Sequence, residues 1–409
     1  MITNAFVDAY NVIKQISSNR LGKAMPIKSD VIIIGAGIAG TSMAAQLSGH
    51  CKVHLLEMEK HPGYHATGRS AAYYAPSYGN NTVRAITVAS EKFFRQTGTE
   101  FSESNLLSPR SAIFVSTQAQ EANFSVFTNE NPKLALLNNR EMKEIVPALK
   151  TDVLTAGALD LIGGDLNVDA ILQGFLRQFL KQDGKLFSQT KIIDLSYKNE
   201  QWFVSSQDQT FTAPIIVNAA GAWADGIAEL AGLSGLGIQA FKRTAILVDA
   251  PLLDPSLIKE TSDMSNWPLV VDVDEQFYFK PDAGQLLISP ADETPSSPCD
   301  AFADELDMAI AIDRVQQVLD IEVKKINHHW AGLRSFSPDK TFVVGLDPRA
   351  KGFFWLAGQG GYGVQTCPAL ADIAACQISG SHNIVAAEDA YLHNEAMRPD
   401  RFLKAISLS

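Results

Sequence analysis

The chain has 409 residues, 46% hydrophobic and 19% charged, with a formal net charge of −11 at pH 7; that length supplies two or three domain-sized cores and leaves little room for long disordered tracts. The acidic balance argues against a nucleic-acid binder, which needs a surplus of Lys and Arg. Four cysteines, Cys51, Cys299, Cys367 and Cys376, lack C-x-x-C spacing, so neither a metal site nor a disulfide framework is expected and a reducing cytoplasm is the simplest setting.

Within residues 1–24, Phe6, Val7, Tyr10, Val12, Ile13 and Ile16 fall near helical spacing. They predict a short amphipathic helix on the protein body or peripheral at the inner membrane, against the plainer reading of an appendage outside catalysis. No apolar run approaches the roughly 18 to 20 residues of a transmembrane segment, and residues 1–29 lack the apolar stretch of a secretory signal.

Residues 31–34, Val-Ile-Ile-Ile, read as a strand buried on both faces. Gly35, Gly37 and Gly40 follow as G-x-G-x-x-G, spanning Ile38 and Ala39, and "TSMAAQLSG" (41–49) reads as the helix they open. Gly35 serves the tight turn, Gly37 close approach to a pyrophosphate, and Gly40 helix packing. A second strand pattern, "KVHLLE" (52–57), ends in Glu57, placed to accept hydrogen bonds from an adenosine ribose. The order strand, glycines, helix, strand, acid predicts dinucleotide binding, without separating NAD from FAD.

Small residues and an arginine precede aromatics in "PGYHATGRSAAYYAPSYG" (62–79). Helices are predicted over 81–96, with Val83, Ile86, Phe93 and Phe94 as the apolar stripe, and over 167–184; "SAIFVST" (111–117) has strand character. Residues 185–218 read as short strands, the last running into Ala219, Ala220 and Gly221, small residues that admit a cofactor. From 236 to 290 the pattern is antiparallel, with a turn at Pro281-Asp282-Ala283-Gly284 and with Tyr278 and Lys280 on the face opposite Phe277 and Phe279. A charged helix (303–320) follows, and residues 352–380 read as strand, glycine loop and closing helix. There is no internal repeat, no G-x-S-x-G and no H-E-x-x-H, and His328-His329 fits strand entry better than a metal site.

The stretches "PGYHATGRSAA", "LLSPR", "VNAAGAWAD", "FYFKPDAG", "WAGLRSF" and "FFWLAGQGGYGVQT", in that order, resemble the FAD-dependent family that contains D-amino acid oxidase, glycine oxidase, sarcosine oxidase and the D-amino acid dehydrogenases. The D-arginine dehydrogenase type is the most similar. The resemblance runs from about Asp30 to the final helix. It implies an α/β fold: a Rossmann-like FAD-binding domain (25–80, 160–232 and 335–400) with an inserted antiparallel-sheet, α+β substrate domain (81–159 and 233–334).

It further implies noncovalent FAD, its AMP half on the first glycine unit and Glu57. Ser70 and Ala71 would lie beside the isoalloxazine, Ile192 would meet the adenine through its backbone, and Ala220 and Gly221 would line the cofactor. Gly360, Gly361, Tyr362, Gly363 and Val364 would close over the flavin. Arg334 and Arg243, with Tyr278, would clamp a substrate carboxylate, a role suited to the planar guanidinium. Tyr78 would close the pocket, and the Gly361 carbonyl would accept from the substrate amine. The implied partners are a small amino acid and an electron acceptor (quinone, carrier or oxygen).

Ala112 stands where the D-arginine enzyme has an acid, so a cationic side chain would lack its counter-charge, and Tyr73 and Ala75 replace its histidine and threonine, which makes the pocket less basic. The implied reaction is oxidation of the Cα–N bond of a neutral D-amino acid. Secondary-amine oxidation, or glycerol-3-phosphate or 2-hydroxy-acid dehydrogenation on the same fold, are alternatives, as is a flavin-binding protein without catalysis.

Overall fold

The computed structural model describes residues 25–249, 264–380, 390 and 392–403; the amphipathic helix expected within 1–24 lies outside them. In chain order the elements that position the site begin with β1 (Val31–Ile34), α1 (Ile38–Leu47), β2 (Val53–Leu56), α2 (Asn81–Gln96), β3 (Ala112–Thr117), α3 (Val168–Lys181), β4 (Lys185–Phe187) and β5 (Ile215–Asn218). They continue with β6 (Gln239–Asp249), β7 (Leu269–Asp272), β8 (Tyr278–Asp282), β9 (Gln285–Ser289), α4 (Glu305–Val318), β10 (Ile326–Phe336), β11 (Val343–Leu346), β12 (Phe353–Ala357) and α5 (Gly363–Ser379).

One sheet runs β4-β2-β1-β5-β12-β11, with every neighbouring pair parallel except the last. All four residues of β1 are buried, as its unbroken apolar run requires. Val31 and Ile33 join a core with α1, α2, α3 and α5, while Ile32 and Ile34 face the opposite core, which includes Trp202, Val204 and Phe211 from an antiparallel meander over 194–213. Because β1 sits between β2 and β5, chain connections leave its C-terminal end in opposite directions, opening a crevice there.

The other large sheet is nine-stranded and mostly antiparallel, with β6, β9, β8, β7 and β3 adjacent in that order and β10 paired to the far side of β6. In the β6–β10 register Arg243 stands opposite Gly332 and Phe241 opposite Arg334. Arg243 and Arg334 therefore lie diagonally on one face.

Two expectations are corrected. Helix α1 begins at Ile38 rather than Thr41, directly after Gly37, because the Thr67 Oγ1 accepts the otherwise orphaned Ile38 N–H at 2.9 Å. The β8–β9 turn is Ala283-Gly284 alone, both at positive φ (48° and 80°), while Pro281 pairs with Leu286 inside the strand. A two-residue loop with left-handed residues matches strand twist, and Pro281 is tolerated because β7 pairs no further along β8 than Phe279.

Candidate active site

The crevice at the end of β1 continues into a cavity of about 480 Å³. Glu57, Thr190, Lys191 and Ile192 line it, as do Arg243, Tyr278 and Arg334. Of the residues expected to hold the cofactor, Gly35, Gly37, Ile38, Ala39, Glu57, Ser70, Ala71, Ile192, Ala220, Gly221, Gly360, Gly361, Gly363 and Val364 all line this cavity. Gly40 and Tyr362 do not. A Cβ on Gly40 would stand 1.9 Å from the Gly35 carbonyl oxygen, so its duty is helix packing. The Tyr362 ring packs against Tyr78, Phe336 and Phe342, and burial pushes its phenol up to about 12.

The glycine cradle is sterically enforced. Gly35 has φ +103°, and a Cβ there would meet the Ala219 carbonyl oxygen at 2.5 Å. Glu57 is buried, accepting from Ala36 N–H at 2.7 Å and Glu59 N–H at 2.9 Å; burial raises its carboxyl above the usual range against those two bonds. Each carboxylate oxygen keeps further acceptor capacity toward the cavity. The buried Gln359 Nε2, on another lining residue, has no partner among the described residues, a donor fit for a polar ring edge.

A second cavity of about 100 Å³ adjoins the first; Ser70, Ala71, Arg243, Tyr278, Arg334, Gly361 and Val364 line both. Its remaining walls include Ala112, Phe114, Leu269, Val271 and Phe277, with Tyr73, Ala75, Tyr78, Glu275, Lys280 and Gln365. Arg243 is buried, held by Glu293 at 3.3 Å, and its Nε has no partner among the described residues. Burial and then the Arg334 charge lower its affinity for its proton. Burial acts the same way on Arg334, but Tyr278, Tyr78 and Glu275 outweigh it and hold that guanidinium charged. Arg334 lies against Gly361, where a Cβ would meet Nη1 at 2.9 Å.

Tyr78 donates to the Glu275 Oε2 at 3.0 Å, and both residues line the smaller cavity. Burial and then Glu275 raise its phenol well above the ordinary value, keeping it a donor. The loop carrying it is tied to α5 by Gln365, which accepts from Ala75 N–H at 3.0 Å, and Ala72, ahead of the Tyr73–Tyr74 strand that leads into the loop, has φ 54°. Held backbone of this kind gathers at functional sites. The sequence places Lys280 beside Tyr278 on one strand face but not its partners Asp165 and Arg110, and it does not signal the bonds that Thr67, Glu275 and Gln365 make or the role of Gln359. Each acts through a partner 29 or more residues away, or, for Gln359, through the lack of one, and nothing local signals that.

Among the described residues no His/Cys/Asp/Glu cluster suits a metal and no helix is long and apolar enough to cross a membrane. The chain matches the family model described as FAD dependent oxidoreductase (DAO) over residues 30–377. It is 24% identical over 410 residues to FAD-dependent oxidoreductase domain-containing protein 1 of Bos taurus, covering 87% of this chain and 82% of that protein. It is also 24% identical over 369 residues to glycine oxidase of Geobacillus kaustophilus, covering 84% and 91% respectively. The L-proline dehydrogenase structure from P. horikoshii shares the fold, with TM-score 0.75 and 20% identity over 93% of this chain and 99% of that one. A parallel sheet with a glycine cradle, a cavity suited to a dinucleotide and a family match across most of its length place the chain in the DAO family of FAD-dependent oxidoreductases, with FAD as its cofactor.

Proposed function

We propose that this protein oxidises the Cα–N bond of a small neutral amino acid, in the D configuration by family resemblance, to an imino acid that hydrolyses to a 2-oxo acid and ammonia. Bound FAD supplies the acceptor for the Cα hydride, and a quinone, carrier or oxygen takes the electrons onward. The observation that carries the reading is the pair of guanidiniums of Arg243 and Arg334, with Tyr278, at the junction of the two cavities.

In this reading both arginines grip the substrate carboxylate and Tyr278 adds a hydroxyl, fixing how the Cα presents its hydrogen. The Gly361 carbonyl accepts from the amine and Tyr78 closes the pocket. Glu57 would hold the ribose, the Ile192 backbone would meet the adenine, and Ser70 and Ala71 would lie beside the ring. Among the described residues no cysteine lines either cavity, which favours noncovalent FAD. We assign cofactor binding to residues 25–80, 160–232 and 335–400, and substrate binding to 81–159 and 233–334.

The small cavity and its Ala112, Phe114, Leu269 and Val271 walls favour a small side chain without a cation, in contrast to the D-arginine type. Glycine oxidase and L-proline dehydrogenase, named among the relatives, point to amino-acid substrates, primary or secondary. The test is anaerobic mixing with D- and L-amino acids, N-methyl amino acids, glycerol 3-phosphate and 2-hydroxy acids while flavin absorbance is followed near about 450 nm. Bleaching by neutral amino acids, and weaker bleaching by D-arginine, is expected. Bleaching by glycerol 3-phosphate or hydroxy acids alone would overturn the proposal.

A further inference from the structure

We propose that Lys280 is a specificity residue that receives an oxygen acceptor on the distal end of the substrate's side chain. This rests on the amino-acid reading above; it narrows the neutral side chains to those ending in a carbonyl or hydroxyl oxygen and extends them to a terminal carboxylate.

Lys280 lines the smaller cavity but not the larger one, whereas Tyr278 lines both. The two residues share a face of β8, and two strand residues span about 7 Å. The lysine therefore lies one side-chain length beyond the group assigned to the substrate carboxylate. Its side chain is 6% exposed and its ammonium meets Asp165 Oδ1 at 2.6 Å. An ammonium carries three N–H donors, and among the described residues Asp165 is the acceptor that it reaches. A buried donor left unused costs free energy that a substrate oxygen would recover.

Asp165 is shared. Its Oδ2 pairs with Arg110 Nε at 2.5 Å, so Lys280, Asp165 and Arg110 form a fixed group with one carboxylate between two cations. Arg110 is also held by the Ser265 and Trp267 carbonyls, and the Tyr73 hydroxyl donates to the Arg110 carbonyl. The lysine is thus anchored from behind, its position set before substrate arrives. Ala112 brings no acid to the cavity wall, and Glu275, the carboxylate that lines the cavity, is bonded to Tyr78 rather than to the ammonium. A substrate with a purely alkyl end would leave its donors unmet, the asymmetry by which hydrogen-bonding sites reject apolar isosteres.

The experiment compares kcat/KM for asparagine, aspartate and leucine, both enantiomers of each, in the FAD-loaded wild-type protein and in Lys280→Met. Asparagine and leucine are close in shape, so their ratio isolates the oxygen, and a ratio within one preparation is independent of the fraction folded. Asp165 keeps Arg110 as its partner in the variant. The wild-type ratio of asparagine to leucine is expected to be about tenfold or more, falling to about one or below in Lys280→Met. Aspartate exceeding asparagine, with the same collapse in the variant, would identify the acceptor as a carboxylate and equally assign the lysine. A wild-type ratio near one, or a ratio that survives the substitution, would overturn the inference while leaving amino-acid oxidation standing. Failure of every amino acid to bleach the flavin would take both down.

Discussion

Replacing Gly361 with alanine probes the arginine site without touching an arginine. A Cβ there would stand 2.9 Å from Arg334 Nη1 and 3.1 Å from its Cζ. Carbon and nitrogen settle at about 3.5 Å or beyond, so the guanidinium must retreat by roughly half an ångström. The clash falls on the far end of a flexible side chain and Gly361 is not at positive φ, so the fold should lose less than about 1 kcal/mol. Misplacing a reacting geometry by 1 Å costs on the order of 10²-fold; half of that displacement gives about tenfold, or about 1.4 kcal/mol. Gly361→Ala should therefore lower kcat/KM for the best substrate by roughly tenfold, with FAD content and melting temperature close to wild type. Arg334→Met should cost about two orders of magnitude more than that shift alone, since it deletes a charge-assisted contact outright. Unchanged kcat/KM in Gly361→Ala would refute the placement of Arg334 on the substrate, and loss of FAD at normal substrate affinity would move Gly361 to a purely cofactor role.

Gly35→Ala puts a Cβ 2.5 Å from backbone at φ +103°; it should yield protein with little bound FAD, read from the ratio of flavin to protein absorbance, and near-normal FAD content would contradict the cradle. Tyr78→Phe removes the hydroxyl bonded to Glu275 and should raise KM about fivefold, the worth of one hydrogen bond, with kcat little changed in steady-state assays. His54 is fully buried between Phe187 and Phe211 with neither ring nitrogen partnered among the described residues, and burial, with Lys52 and Lys185, lowers its pKa from 6.5 to about 4. The unfolded chain then binds the extra proton, so this stability is full above pH 6.5 and is lost as pH falls toward 4, by at most about 3 kcal/mol. His54→Phe should flatten the fall in denaturation midpoint between pH 6.5 and 4; an unaltered slope would place the acid sensitivity elsewhere.

The parts of the fold legible in sequence are those with local periodicity. The four-residue run of β1, the stripe of α2 over Asn81–Gln96 and the strand alternation around Tyr278 each reflect one element burying one face. The glycine unit was legible because Gly35 and Gly40 answer steric demands that their neighbours impose. Pairing between Arg243 and Arg334 was not, since a register across β6 and β10 brings together residues 91 apart in sequence, and family resemblance alone joined them. Which side chain of the glycine-rich loop turns inward is not legible in sequence: the Tyr362 ring packs on Phe336 and Phe342 rather than lining the cavity. Glu275 escaped notice because a loop carboxylate looks like any solvated one until Tyr78 folds onto it.

The most direct test of amine oxidation uses the bound cofactor as reporter and the substrate's own hydrogen as the label. The purified protein, mixed anaerobically with a neutral D-amino acid and then with the same compound deuterated at Cα, is followed near about 450 nm for the rate of bleaching. We predict rapid bleaching, a several-fold slower rate with deuterium, and one equivalent each of 2-oxo acid and ammonia. Bleaching of equal rate with both compounds would contradict rate-limiting hydride removal from Cα, and absence of bleaching by every amino acid tried would contradict the assignment of the substrate itself.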